Sequence, residues 1–286
     1  MQIGYVLPNS WGLADPREDI GLAVLAEQLG AGSLWVSHHV IHTGFVAARL
    51  GTGNYYDPRI SLAAAATATS RVRLGTSVLV LGYLNPFVTA KQLATIDWLS
   101  HGRVDAGVGV GALRAEFAAT NVVPFDQRGV YADEFIDVLR LLWTPGPSSY
   151  SGRFFSFDDV EAYPGPYRAG GLPILVGGNG GPALRRVAAR GDGWHGIGLE
   201  PAAARELKNR LTEQLDRAGR APEGFPLQVR LHIDASDLDR DAWTGRVANY
   251  SAAGVTDLVL APQTRERDAH LRWLETLLPN LVEAAG

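Results

Sequence analysis

The sequence contains no cysteine. It therefore has no disulfide, no thiolate nucleophile and no cysteine-ligated zinc, which is typical of a cytosolic protein without establishing the compartment. The N-terminal stretch MQIGYVLPNSWG has neither the basic segment nor the apolar segment of a secretory signal peptide. No uncharged run in the chain approaches the roughly 18 residues that a membrane-spanning helix needs. We therefore expect a soluble cytoplasmic protein.

The chain also lacks an excess of positive charge. Its 26 basic residues are outnumbered by 30 acidic residues, which gives a net charge of −4. Nucleic acid and anionic lipid surfaces attract proteins with a cationic field. Neither is therefore an expected partner.

What the chain does have is a regular alternation of short apolar or β-branched runs with longer segments of helical period. This alternation is typical of parallel βαβ units. The predicted strands are 2–7, 33–38, 73–80, 103–110, 172–177, 193–198, 227–233 and 257–261. The predicted helices lie near 17–30, 58–69, 86–100, 129–143, 182–190, 201–218, 239–253 and 265–284. Eight such units in 286 residues favour an α/β fold with a single (β/α)8 barrel domain over residues 1–286, since such barrels have about 250 residues plus insertions. A doubly wound open sheet is the alternative.

Three connections are too long to be simple turns: 40–57, 111–128 and 144–171. Long ordered loops are uncommon unless they are functional. The first two follow the carboxyl ends of predicted strands, where barrel enzymes build their active sites, so we expect them to form walls or lids. The third follows a helix, and its segment SYSGRFFSFDD predicts a small hairpin.

Two adjacent histidines, His38 and His39, end the second predicted strand. On a barrel this position is the catalytic rim. Successive strand residues point to opposite faces, so only one of the two is expected to face a pocket while regular strand geometry lasts. With His42 they also form HHVIH, which suggests a metal site, but further ligands at other strand ends are scarce. A purely structural role for the histidines is a third possibility.

Three glycines spaced two apart, Gly107, Gly109 and Gly111, lie in the segment DAGVGVGALRAEF. They share one face of the predicted strand, which either presents bare backbone to a flat ring or allows tight packing inside the barrel. The segment also matches the dinucleotide pattern G-x-G-x-x-A. That pattern belongs after the first strand of a βαβ unit and needs an acidic residue at the end of the next strand. Here the acidic candidate, Asp126, lies in a loop, so we do not predict a dinucleotide site.

A glycine-rich turn, GGNGGP over residues 177–182, joins a predicted strand to a predicted helix. Pro182 suits the first position of a helix, where a missing N–H is harmless. Free backbone N–H groups at such a helix start bind anions, and glycine allows close approach. Arg185 and Arg186 add positive charge nearby. The alternative is an ordinary glycine-rich turn.

Long ordered motifs in the chain resemble those of the luciferase-like monooxygenase superfamily, within it the branch of probable coenzyme F420-dependent oxidoreductases. The motifs are LGTSVLVLGYLNPFVTAKQLATIDWLSHGRVDAGVGVGALRAEF, RGVYADEFIDVLRLLWT, GRFFSF and GGNGGPALRRVAARGDGWH. The similarity covers nearly the whole chain and is strongest over 71–196. It implies a (β/α)8 barrel, a homodimer, and a flavin or deazaflavin bound at the C-terminal rim.

The resemblance also assigns catalytic residues. In the family, an acidic residue and then a histidine stand at the end of the second strand. These two positions correspond to His38 and His39, so a histidine replaces the acidic residue here. If His39 matches the family histidine that lies against the ring, it can donate a hydrogen bond or move a proton. Leu84 stands where relatives commonly have arginine. Ala115 stands where a sugar-phosphate-oxidising relative has a polar amide, so we do not expect this protein to share that relative's substrate class.

The resemblance further implies a set of cofactor-binding residues and no metal ligand. The set is Ser77, Val78, Val80, Gly109, Gly111, Gly178, Asn179, Gly180, Gly181 and His195. It also predicts a cis peptide bond between Ser77 and Val78, in a bulge of the third strand. The implied activity is hydride transfer between the C5 atom of bound F420 and a small organic substrate, with the protein supplying position and charge stabilisation. An FMN-dependent monooxygenase, a non-catalytic flavin-binding protein and a metal-dependent hydrolase are the alternatives.

Overall fold

The computed structural model describes all residues from 1 to 286. Eleven strands are present: β1 (Gln2–Val6), β2 (Ser33–Val36), β3 (Arg73–Thr76), β4 (Leu79–Val80), β5 (Val104–Gly109), β6 (Ser148–Ser151), β7 (Ser156–Val160), β8 (Ile174–Gly177), β9 (Gly193–Ile197), β10 (Leu227–Ile233) and β11 (Asp257–Pro262). All except β6 and β7 belong to one parallel sheet. Because β5 pairs with both β3 and β8, and β1 pairs with both β2 and β11, the sheet closes on itself. The predicted eight-stranded barrel is confirmed, with β3 and β4 as two parts of its third strand.

Ten α-helices surround the barrel. They are α1 (Arg17–Gln28), α2 (Gly44–Leu50), α3 (Pro58–Ala68), α4 (Pro86–Leu99), α5 (Arg114–Thr120), α6 (Arg128–Trp143), α7 (Gly181–Arg190), α8 (Pro201–Arg217), α9 (Arg240–Ala252) and α10 (Arg267–Ala285). Two of them begin with the same local device: Asp57 before Pro58 and Asn85 before Pro86 accept hydrogen bonds from the first-turn N–H groups, as capping residues do. No helix is both long and apolar enough to cross a membrane.

The third barrel strand is interrupted, whereas the sequence predicts one strand over 73–80. β3 pairs with the start of β5 through Leu74 and Val104, and β4 pairs with its end through Leu79 and Val108. Ser77 and Val78 form a bulge between the two parts. The peptide bond between them is cis, as predicted.

The long connections contain more regular structure than predicted. Connections 40–57 and 111–128 contain the seven-residue helices α2 and α5, which are too short to show a helical period. The predicted hairpin in 144–171 is confirmed as the antiparallel pair β6 and β7. β2 ends at Val36, two residues before the predicted end, so the two histidines lie in the loop beyond the strand.

Candidate active site

A cavity of about 380 Å³ opens at the carboxyl ends of the barrel strands. This is the place where barrel enzymes bind their ligands, and the volume lies within the usual range of ligand sites. Its wall contains both histidines and six of the predicted cofactor-binding residues: Ser77, Val78, Val80, Gly109, Gly111 and Gly178. The barrel therefore brings together residues that are spread over more than 140 positions of the chain.

His38 is a neutral hydrogen-bond donor at the cavity wall. It is buried, and its Nδ1 accepts a hydrogen bond of 3.0 Å from the N–H of Val80. Burial is the main reason why its pKa falls to about 4, so at neutral pH the ring has one proton, which must be on Nε2. Nε2 is buried without a protein partner. It is thus available to a bound molecule.

His39 is held by a carboxylate that the sequence analysis missed. Its Nδ1 lies 2.7 Å from Oε2 of Glu116, a fully buried residue in α5. Glu116 also accepts hydrogen bonds from the N–H of Val40 at 2.8 Å and from the hydroxyl of Tyr83 at 2.9 Å. Burial opposes the ionisation of Glu116, but these donors, led by His39, outweigh it and lower its pKa. A carboxylate held in this way orients the imidazole and leaves Nε2 without a protein partner.

Both histidines line the cavity, so the expectation that only one would face it is wrong. The reason is that the strand has already ended at Val36 and strand alternation no longer applies. The ring of His39 packs edge-on against Phe45 and Tyr55, with centroids 5.2 and 5.8 Å away. The loop beyond β2 therefore supplies an aromatic wall as well as the histidines.

The glycine row in β5 fits closely against the bulge of the third strand. A Cβ atom on Gly107 would lie 1.7 Å from the carbonyl oxygen of Thr76, and one on Gly109 would lie 2.5 Å from Val78. The tight-packing alternative is therefore favoured for this row. Gly109 and Gly111 also line the cavity, so the packed bulge and the bare backbone together form its floor.

A buried chain of hydrogen bonds supports the bulge from inside the barrel. Nη1 of Arg230 donates to the carbonyl oxygen and to Oγ of Ser77, at 2.6 and 3.0 Å. Oγ of Ser77 lies 2.8 Å from Nε2 of His195, and Nδ1 of His195 lies 2.9 Å from Oε1 of Gln228. His195 does not line the cavity; it is fully buried, and its pKa falls to about 4, mainly through burial. In this structure His195 positions Ser77.

The glycine-rich turn leaves donors free beside the cavity. The backbone N–H groups of Asn179, Gly180 and Gly181 have no acceptor within the protein. None of the three lines the cavity, but the adjacent Gly178 does. The side chain of Asn179 is engaged, because its amide donates to and accepts from the backbone of Ile197, at 2.7 and 3.1 Å.

Only one of the two arginines after this turn is free. Nε of Arg186 lies 2.6 Å from Oδ1 of Asp133, and the residue is buried. Arg185 is exposed near the start of α7 and forms no ion pair. The turn therefore offers three N–H groups and one exposed cation to an anion.

No three histidine, aspartate or glutamate side chains are grouped so that they could hold a metal ion. His42 is exposed and bonds to the carbonyl oxygen of Gly51 at 3.0 Å. His232 lines the cavity and has Gln263 as its partner at 3.0 Å.

The fold and the site together define the class of protein: a (β/α)8 barrel with a cavity at its C-terminal rim, where barrel enzymes bind their ligands. The family model for luciferase-like monooxygenases matches residues 1–281. The chain belongs to this family and is an oxidoreductase.

Relatives of assigned and unassigned function share about a third of the residues. An uncharacterized protein of Mycobacterium tuberculosis is 32% identical over 227 residues, which is 79% of this chain and 76% of the relative. The F420-dependent glucose-6-phosphate dehydrogenase of Nocardia farcinica is 33% identical over 226 residues, which is 76% of this chain and 65% of that enzyme.

Solved structures of low sequence identity share the fold. An F420-dependent secondary alcohol dehydrogenase in complex with an F420-acetone adduct has a TM-score of 0.85 at 19% identity, over 100% of this chain and 99% of its own. The oxygenating constituent of 3,6-diketocamphane monooxygenase from Pseudomonas putida, in complex with FMN, has a TM-score of 0.79 at 16% identity, over 99% and 97%. The same barrel thus occurs with either cofactor.

Proposed function

We propose that the protein is a coenzyme F420-dependent oxidoreductase that transfers a hydride between C5 of the deazaflavin and a small organic substrate. The observation on which the proposal rests is the continuity of the cavity, through Gly178, with the three free N–H groups of the turn. A molecule with a flat polar ring and a phosphate-bearing tail needs a cavity for the ring and free N–H groups for the phosphate. The identity of 33% with an F420-dependent dehydrogenase supports F420 as that molecule.

The residues of the site fit such a molecule. Nε2 of His38 and the hydroxyl of Tyr55 are buried polar atoms without partners, and both residues line the cavity. Ring carbonyl oxygens can accept hydrogen bonds from both, which removes the cost of leaving these donors unpaired. Val78, which lines the cavity, would contact the ring, and the free N–H groups of the turn would bind the phosphate.

The cofactor, when bound, supplies the hydride chemistry. The protein supplies the proton. In this proposal Nδ1 of His39 is fixed by Glu116 at 2.7 Å, so that its free Nε2 can give a proton to the substrate oxygen or remove one from it. Phe45 and Tyr55, which pack against the His39 ring, help to hold it in place.

The substrate class of the Nocardia farcinica relative is not extended to this chain. Ala115 cannot replace the polar amide that the family resemblance leads one to expect there, because a methyl group forms no hydrogen bond. We propose only that the substrate is small.

FMN is the competing cofactor, because a barrel of the same fold binds it. A titration with F420 and FMN separates the two, and we expect F420 to bind more tightly. Tighter binding of FMN by about tenfold or more, a free-energy difference of about 1.4 kcal/mol, would overturn the proposal. Binding of F420 without turnover of any alcohol or aldehyde would instead favour a non-catalytic binding protein.

A further inference from the structure

Two arginines line the cavity without a counter-ion. Arg230, in β10, is 5% exposed; its Nη1 is bound to Ser77, and its Nε is buried with no partner. Arg49, at the end of α2, also has a buried Nε with no partner. Twelve ion pairs occur in the molecule, and neither arginine belongs to any of them.

Arg49 is held in position by neutral groups. Its Nη2 donates to the carbonyl oxygen of Ser10 at 3.0 Å, and its guanidinium carbon lies 4.5 Å from the centroid of the Trp11 ring. Arg265 donates to the carbonyl oxygen of Arg49 and so adds a further positive charge at this rim. The guanidinium of Arg49 is therefore fixed in direction but not neutralised.

The electrostatic environment of the pair is one-sided. Burial, and to a smaller extent the charge of Arg49, lowers the pKa of Arg230 to about 10, so Arg230 is still protonated at neutral pH. Tyr55, which lines the same cavity, is uncharged because burial keeps its pKa far above neutral. A buried cation and a partly buried cation that line one cavity without a counter-ion are costly unless an anion joins them.

We propose that the Arg49–Arg230 pair binds an anionic group of the substrate, a carboxylate or a phosphate. Guanidinium groups bind such anions through paired hydrogen bonds, and the free Nε atoms provide the donors. The cofactor phosphate has its own donors in the turn at Asn179–Gly181 and at Arg185. The inference rests on the proposed function, since it specifies the substrate of that site.

The position also suits catalysis. The ring of Tyr55 packs against His39 with centroids 5.8 Å apart, and both residues line the cavity together with Arg49 and Arg230. An anion held by the pair thus shares this cavity with the proposed proton donor.

The test compares benzoate with benzamide, which have the same shape and differ in charge. Calorimetric titrations are made with the cofactor-free protein and with the F420-loaded protein, and inorganic phosphate is a second anionic probe. We expect benzoate to bind at least about tenfold more tightly than benzamide. Arg49→Gln and Arg230→Gln should each remove this preference. Arg49→Gln decides the question if Arg230→Gln does not fold.

Arg185→Gln is the matched control, because it removes one cation from the turn and leaves the pair intact. Arg185→Gln should weaken F420 binding and leave the preference for benzoate unchanged. Arg49→Gln should instead remove the preference for benzoate and leave F420 binding unchanged. Three results overturn the proposal: equal affinity for benzoate and benzamide, no binding of benzoate or phosphate, or displacement of the cofactor by benzoate. Because the cofactor-free protein is titrated separately, the comparison of benzoate with benzamide does not depend on the cofactor assignment.

Discussion

His38 and His39 are neighbours in the chain with different chemical roles. The Nδ1 of His38 faces a backbone N–H and that of His39 faces a carboxylate. The acceptor Nδ1 of His38 leaves a neutral ring with a donor Nε2, whereas the carboxylate beside Nδ1 of His39 favours a donor at that nitrogen. The partner atoms, not the residue type, thus decide which ring nitrogen of each histidine carries the hydrogen.

We predict that His39→Ala slows single-turnover hydride transfer by about 10²–10⁴-fold, the usual contribution of a general acid or base, without unfolding the barrel. His42→Ala is the control, because His42 is exposed and bonds only to Gly51. Stopped-flow measurement of cofactor absorbance gives the rate. An unchanged rate together with unchanged cofactor affinity would transfer the proposed role to His38.

Glu116→Gln should lower the free energy of unfolding at pH 7 by about 1–3 kcal/mol, since an amide cannot satisfy the same buried donors. The pKa of Glu116 is lowered in the folded protein. Its ionisation therefore stabilises the fold above the unfolded pKa of about 4.3, and this contribution is lost as the pH falls through the folded pKa. In urea unfolding, we therefore expect the difference in unfolding free energy between Glu116→Gln and the native protein to become smaller at acid pH.

The control is Asp126→Asn, which removes a carboxylate from an exposed pair with Arg114. Exposed pairs contribute little to stability, so its unfolding should follow the native protein at every pH. If Glu116→Gln lowers the free energy of unfolding by the same amount at pH 7 and at pH 3, the charge of Glu116 does not contribute to stability.

At the scale of elements, the bulge between β3 and β4 and the glycine row of β5 depend on each other. Gly107→Ala should destabilise the protein by about 3 kcal/mol, because the added Cβ would lie 1.7 Å from a backbone oxygen, which cannot move aside as a side chain can. Gly245→Ala is the control, since nothing lies within 4 Å of its Cβ position in α9. Urea unfolding measures both. A loss below about 1 kcal/mol would mean that the bulge can shift.

In the turn after β8, a substitution of glycine should affect ligand binding rather than stability. A Cβ on Gly180 has only an ordinary contact, 3.7 Å from Pro182, and the φ angle of −85° suits any residue. Gly180→Val should therefore leave the melting temperature nearly unchanged and weaken F420 binding by about tenfold or more, since the side chain blocks the N–H groups. If the variant melts early while its folded fraction keeps the native affinity, the turn is structural. Gly245→Val controls for the substitution itself.

For the whole molecule we predict a homodimer. Ile60, Phe87 and Val88, near the starts of the neighbouring helices α3 and α4, are exposed by 70%, 36% and 54%. Exposed apolar groups of this size in adjacent elements favour association. Sedimentation equilibrium should give twice the chain mass of 30.7 kDa, and Ile60→Glu with Val88→Glu should shift it to the monomer. Ile41→Glu, on the loop after β2, should not.

The sequence alone predicted the order of the eight strand–helix units, because a strand or a long helix is defined by neighbours in the chain. β10 has the predicted bounds of 227–233. The family resemblance correctly placed the cis bond at Ser77. The helices α2 and α5 were missed, because seven residues form barely two turns and are stabilised by packing rather than by their own periodicity.

The contacts between distant residues were decided only by the tertiary structure. No local pattern links His39 to Glu116, which is 77 residues away, or Arg49 to Arg230. Closing the sheet brings all strand ends to one rim, and the loops beyond them then determine which side chains meet. The sequence by itself thus determined where the barrel has its rim, and it predicted the glycine-rich turn as an anion site. The tertiary structure decided which carboxylate holds His39 and that two arginines face one cavity without a counter-ion, because both depend on distances across the closed barrel.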